Sequence, residues 1–233
     1  MQTDTLGRSR MFFLEALVIT CSIAVAFSVD RWWDSHRNRM EERLTLAALH
    51  GEFTAARLEL RTSKELHGRV DEAIRLSLAT LVDAVQQGRA ETLIADSVLA
   101  YVYIPPTTQL SLPTRSGLVA AGRLGLLQDA ELRAALTNWE AVLEDLSEDE
   151  DRSRDFVDFQ MDPVLRQRVD VTRFRTRSQS SHAGASSLPV DNELVGVLAS
   201  RLNLQDHTME EFSPVERELD RILELIDRSL ERQ

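Results

Sequence analysis

The chain has a single cysteine, Cys21, in 233 residues, so no disulfide can close within it and no cysteine-based metal site can be assembled. Prolines number 6 and glycines 9, too few to punctuate a many-turned β protein, and long helices are the expected result. Lysine is nearly missing: Lys64 stands alone among 27 basic residues, a bias that reads as GC-rich coding rather than as a binding device. Positive charge is also the scarcer sign, with 38 acidic residues giving a formal net charge of -11. Arg8 and Arg10 cancel Asp4 and Glu15 within residues 1–29, so the rest of the chain carries the whole excess. Phosphate backbones repel such a body, which disfavours nucleic acid as a partner.

Residue patterns that carry chemistry are missing as well. His36, His50, His67, His182 and His207 show no ligand spacing of the H-E-x-x-H kind, and each reads as solvated helix surface. Gly117, Gly122 and Gly125 resemble a phosphate loop only superficially, because no Lys-Ser/Thr follows; they read as a helix–turn–helix corner. Glu148-Asp149-Glu150-Asp151, with Asp145, Asp155 and Asp158, is the densest charge. Consecutive helical residues fan outward instead of converging on a cation, so a solvated face is expected there. Serines crowd residues 178–187 without a Gly-x-Ser-x-Gly elbow or a base. No catalytic, cofactor-binding or metal-ligating residue is expected, and no enzyme.

What the chain does have is one long apolar run. Residues 11–29 hold 19 positions with a single charge, Glu15, close to the ~20 that cross a hydrocarbon layer as a helix. Trp32 and Trp33 follow at once, where indoles favour the headgroup level. A buried core helix would rarely be apolar all round for five turns. A cleaved signal peptide is the stronger competitor, since Ala24-Val25-Ala26 fits a small-x-small cleavage site. Against cleavage, the run exceeds the usual apolar region of about 7–15 residues and continues into helix-forming sequence without a turn. We therefore expect a single transmembrane helix at residues 11–29. Glu15 lies about one turn inside it, placed to snorkel to the interface or to contact a partner helix. Arg31, Arg37, Arg39 and Arg43 after the span outnumber Arg8 and Arg10 before it, but they alternate with Asp30, Asp34, Glu41 and Glu42. Transfer of the short tail of residues 1–10 is the less common route. The expected orientation leaves that tail in the cytoplasm and the body outside it.

From Arg31 to about Gln87 there is no proline. Leu46, Leu49, Phe53, Ala56 and Leu60 recur at steps of three and four, as do Leu66, Val70, Ile74, Leu78, Leu81 and Val85. One long helix running out of the membrane and stopping at Gly88 is the simplest reading; Thr62-x-x-Glu65 forces no break. A short helix over 90–103 should end at Pro105-Pro106, and Pro113-Thr114 should open another that Gly122 and Gly125 close, giving a corner within 105–128. A second long helix starts near Asp129, carries Leu132, Leu136, Trp139, Leu143 and Leu146, and reaches about Val169 with a kink at Pro163. Residues 170–190 read as a flexible polar loop. Helices then cover about 192–202 and from Ser213-Pro214-Val215-Glu216 onward, the latter striped by Val215, Leu219, Ile222, Ile226 and Leu230. The expected fold is all-α: a transmembrane helix continuing into an elongated antiparallel helical bundle of residues 30–233.

Two segments carry a resemblance. Glu15-Ala-Leu-Val-Ile through Ala26-Phe-Ser-Val-Asp-Arg-Trp-Trp-Asp is a glutamate-started membrane helix ending in tryptophan. Pro113 to Trp139 joins a Ser-Gly turn to a helix beginning Glu-Leu-Arg. Together they resemble an uncharacterised family of bacterial single-span membrane proteins of the domain-of-unknown-function kind. The likeness covers about 11–60 and 105–160, and Trp33 is a departure from it. It implies the membrane-tethered helical architecture at the bacterial inner membrane and no site residues. The expected role is a non-enzymatic envelope protein whose partners are the lipid bilayer and another protein or a second copy of itself. The alternative is an extracytoplasmic sensor or small-ligand-binding bundle acting through a partner. No cofactor is expected.

Overall fold

A computed structural model describes the backbone of residues 4–175 and 184–232, and the side chains of 31–33, 36–173 and 184–232. Helix α1 spans Asp4–Gln86, 83 residues without a break, or about 125 Å at 1.5 Å per residue. Its end is a Schellman motif. Gly88 adopts φ 66°, its N–H donates to the Val85 carbonyl, and the Arg89 N–H donates to that of Ala84. Strand β1 (Glu91–Ala95) and α2 (Asp96–Val102) follow. The chain then returns along the bundle to α3 (Pro113–Ala120), which stops on the same motif at Gly122, φ 63°. Helix α4 (Ala130–Phe156) starts on Asp129, whose carboxylate accepts from the N–H groups of Glu131 and Leu132. A π-helical turn, Val157–Met161, leads into α5 (Asp162–Arg166), then α6 (Thr172–Arg175), β2 (Ala185–Pro189) and α7 (Asn192–Glu231).

Pairing between side chains fixes the directions of the long helices. On α1 and α7, His50 meets Asp227, Arg57 meets Asp220, Lys64 meets Glu216 and Arg75 meets Asp206, so one number rises as the other falls. These helices are antiparallel. Phe53 packs edge-on against Trp139 at 5.4 Å, and His67 meets Glu150, so α1 and α4 run parallel. The return of residues 103–129 makes that possible. Two apolar clusters stack along the bundle: one around Leu46–Leu60, Trp139 and Phe212–Ile226, the other around Val70–Leu81, Val102, Phe156 and Leu194–Leu198.

The chain is mostly helical, as expected; besides the short helix α6 inside the expected flexible loop, it shows three departures. Residues 91–95, read as helix, form β1, and residues 185–189, read as part of a flexible loop, form β2. The two are antiparallel, with Glu91 opposite Pro189 and Ala95 opposite Ala185. Thr92 and Ile94 turn inward with Ser186 and Leu188, a period-two pattern whose stabilisation comes from a distant strand rather than local composition. Residues 176–183 of the expected loop, with His182, lie outside the described residues. The third departure is Pro214, which begins no helix but sits inside α7. Leu194, Leu198, Phe212, Val215, Leu219 and Ile222 form one continuous buried stripe across it, and that packing outweighs one lost backbone bond. At Pro163 the expected distortion is the π-helical turn, which accommodates the missing N–H.

Among the described residues no helix is long and apolar enough to cross a membrane. The expected span at 11–29, with Glu15, lies outside the residues whose side chains are described.

Pro214→Ala restores a backbone donor and a residue with high helix propensity. The expected outcome is a rise of about 1–3 kcal/mol in unfolding free energy with an unchanged urea m-value. A drop would mean that Pro214 shapes α7 in a way its packing does not reveal.

Candidate functional site

Between the two apolar clusters each long helix turns polar residues inward while keeping its helical phase. On α1 the buried line Leu60, Val70, Ile74 passes half-buried Ser63 and buried His67; on α4 it passes through Glu150 and Ser153; on α7 it passes through Arg201, Gln205 and Thr208. These residues meet in a polar waist. Glu150, 3% exposed, accepts from the Thr108 backbone N–H at 3.0 and 2.9 Å, from the Thr108 hydroxyl at 2.6 Å, and from His67 Nε2 at 3.2 Å. Ser63 Oγ lies 2.6 Å from Thr108 Oγ1 and extends the hydroxyl chain outward to a surface cleft of about 520 Å³ that Ser63, Leu66 and Thr107 help to line.

The far side of the imidazole decides what this pair can do. Gln205 Nε2 donates to His67 Nδ1 at 3.1 Å and to the His67 carbonyl at 3.1 Å. With Nδ1 accepting, Nε2 carries the hydrogen aimed at Glu150. A carboxylate–histidine pair works as a base for catalysis only when its other nitrogen faces a nucleophile or substrate. Here it faces an amide inside the core, and the Phe212 ring covers the imidazole edge-on at 5.1 Å. The arrangement ties α1, α4, α7 and the 103–112 return segment together.

Arg201 extends the waist. It is fully buried, donates through Nη1 to Ser153 Oγ at 2.6 Å and through Nη2 to the Ile104 carbonyl at 3.1 Å, and leaves Nε without a partner. Desolvation lowers its pKa to about 10. A second polar knot closes the far end of the bundle. Buried Asp96 accepts from Ser186 Oγ at 2.6 Å and from Arg173 Nη2 at 2.9 Å, and its N–H donates to the Gly184 carbonyl. A Cβ on Gly184 would lie 2.7 Å from Arg173 Nη2 and 2.9 Å from Asp96 Oδ2, so only glycine lets those groups close.

The interface residues expected from sequence fall elsewhere. Trp32 and Trp33 are 65% and 63% exposed on α1, and Trp32 stacks on His36 with ring centroids 6.0 Å apart. Glu15 lies outside the described side chains. Near Trp32 and Trp33, an open cleft of about 660 Å³ separates α1 from the turn at Gly122–Gly125; Arg31, Glu41, Glu42 and Arg123 line it, and Arg123 pairs with Glu41. The reading of all histidines as surface residues is corrected at His67, and the acidic run is corrected at Glu150, which points inward while its neighbours Glu148 and Asp151 are exposed. Both were visible as polar residues at core-facing steps of their stripes. Among the described residues no three His, Cys, Asp or Glu side chains converge on a point that could hold a metal.

Glu150→Ala removes the acceptor shared by His67 Nε2 and the Thr108 N–H and hydroxyl, and is expected to cost about 1–3 kcal/mol, read by urea unfolding. The double variant Glu150→Leu/His67→Phe should cost clearly less than the sum of its single changes, because both ends of the bond leave together. Additive losses would refute the coupling. For Arg201 the sign runs the other way. Its folded pKa is depressed, so burial of the charge opposes folding below about pH 10 and that opposition fades as the folded state loses the proton. The stability of the wild type relative to Arg201→Met should therefore climb above pH 10, in paired urea melts; a flat difference would contradict it.

No family model, curated protein or solved structure matches the chain.

Proposed function

We propose that the chain is a single-pass protein of the bacterial inner membrane, anchored through residues 11–29, with its helical bundle outside the cytoplasm and a non-enzymatic role in protein contact. Kinship with the single-span family that it resembles belongs to the same proposal. One observation carries it. Helix α1 runs without interruption from the apolar run into the bundle, and at the junction it presents two exposed tryptophans. Exposed indoles cost apolar hydration in water and are favoured at a headgroup layer. The chemistry of the interior supports the non-enzymatic part, since His67 and Glu150 spend their bonds on Gln205 and Thr108. The surface clefts are open rather than enclosed, which favours protein contact over capture of a small molecule.

Carbonate extraction of membranes carrying the full chain tests the anchor, and a C-terminal reporter active only outside the cytoplasm tests the orientation. The expected outcome is retention in the membrane at high pH with an active reporter. Release by carbonate would sink the anchor; a silent reporter on a retained chain would sink the orientation.

A further inference from the structure

Helix α1 is apolar on two opposite faces over the same stretch. Leu46, Leu49, Phe53, Ala56 and Leu60 are buried against the bundle. Met40, Leu44, Ala47, Gly51, Ala55 and Leu58 follow one another at steps of four, three, four, four and three, and every one is exposed. At 100° per residue they stay within about 40° of one line, on the side of α1 away from the core. The three long side chains are 52%, 68% and 66% exposed. Thr62, Glu65 and Arg69 take the next positions on this line and end its apolar run.

The middle of the strip is built of small residues. Ala47, Gly51 and Ala55 sit four apart, and a Cβ added at Gly51 would meet nothing within 4 Å. Gly51 therefore answers no packing need of its own chain, while glycine inside a helix costs about 1 kcal/mol relative to alanine. Small residues at this spacing let a second helix approach closely.

The flanks identify the occupant. Arg43 and Arg61 lie about 80° to one side of the strip, and Glu41 and Glu59 about 80° to the other, the angle at which flanking charges meet across a two-stranded coiled coil. If two copies of α1 run parallel about a twofold axis, each basic flank faces the acidic flank of the other copy. In each pair the arginine and glutamate then differ by two residues, or about 3 Å in height. An antiparallel pair would set arginine against arginine and glutamate against glutamate. Arg43, Glu59 and Arg61 have no ion pair within the chain among the described residues, while Glu41 is held by Arg123.

We infer that the Met40–Leu58 face of α1 is the seam of a parallel homodimer, in which two copies pair with their N-termini side by side. This rests on the membrane-anchored reading, which supplies the parallel alignment. The seam spans about 27 Å of helix. It engages one helix of each copy, and confinement in one bilayer raises the local concentration that pairing needs.

The test uses the full chain in membranes, with Cys21→Ser as background and single cysteines placed by Leu44→Cys, Leu58→Cys or, as a control on the exposed side of α4, Glu144→Cys. Disulfides need Cα atoms within about 7 Å. The expected result is self-cross-linking of the Leu44→Cys and Leu58→Cys chains far above the control. Gly51→Leu should abolish it without unfolding the chain. Glu59→Arg should lower cross-linking several-fold, and adding Arg61→Glu should restore it, a reciprocity that a purely structural role would not produce. Cross-linking at the control level at both seam positions, in a chain retained by the membrane, overturns the dimer and leaves the anchor standing. Cross-links that form only between Leu44→Cys and Leu58→Cys chains overturn the parallel arrangement. A chain released by carbonate overturns the anchored reading first.

Discussion

The bundle depends on satisfying a carboxylate that the core surrounds. Glu150 sits where α1, α4, α7 and the returning segment meet, and every lone pair it spends goes to one of those elements: the Thr108 N–H and hydroxyl from the return, and the His67 imidazole from α1. Gln205 then locks the imidazole from α7. Apolar stripes slide past one another at little cost, because any leucine fits roughly where another leucine sat. A buried set of hydrogen bonds has one register only. The waist thus fixes the height of three long helices that their stripes alone would leave free to slip, and Trp139 against Phe53 and Arg201 against Ser153 fall into place on either side.

Buried carboxylates close both ends of the bundle. Beyond the waist toward Gly88, the core is closed by β1 and β2 and by Asp96, whose bonds to Ser186 and Arg173 draw the 185–189 segment onto α2. Toward Trp32 and Trp33 the buried Glu42 carboxylate accepts from the Gln128 N–H at 2.6 Å and Arg232 pairs with Asp129, while the outer face of α1 carries the Met40–Leu58 strip. Both ends are closed by polar chemistry, and the apolar surface left bare is the outer side of α1.

Sequence reasoning read the long helices well because their signals are local. The absence of proline from Arg31 to Gln87, the glycine stop at Gly88, the Asp129 cap and the disturbance at Pro163 all appear where periodicity and capping rules put them. It failed where stabilisation comes from afar. Thr92-Leu93-Ile94 is too short to declare a strand without its partner, and 185–189 looks loop-like until Leu188 and Ser186 are seen packed beneath it. Pro214 carried a full helix-start signature that a 40-residue buried stripe overrode. Of the polar waist, His67 and Glu150 were noticed and assigned to solvent, although both occupy core-facing steps. Reading polar residues for their phase, rather than for ligand motifs, would have brought Ser63, His67, Glu150, Ser153, Arg201 and Gln205 together.

The share of the core that α7 supplies sets the order of folding. Both apolar clusters and the waist take one wall from residues 192–231, so neither can close while the nascent chain is still short of them. Helix α1 emerges early, complete in its local hydrogen bonding, and waits with two bare apolar stripes until α7 arrives. Assembly of the bundle therefore waits for α7, and its most aggregation-prone species is a chain that stops short of that helix.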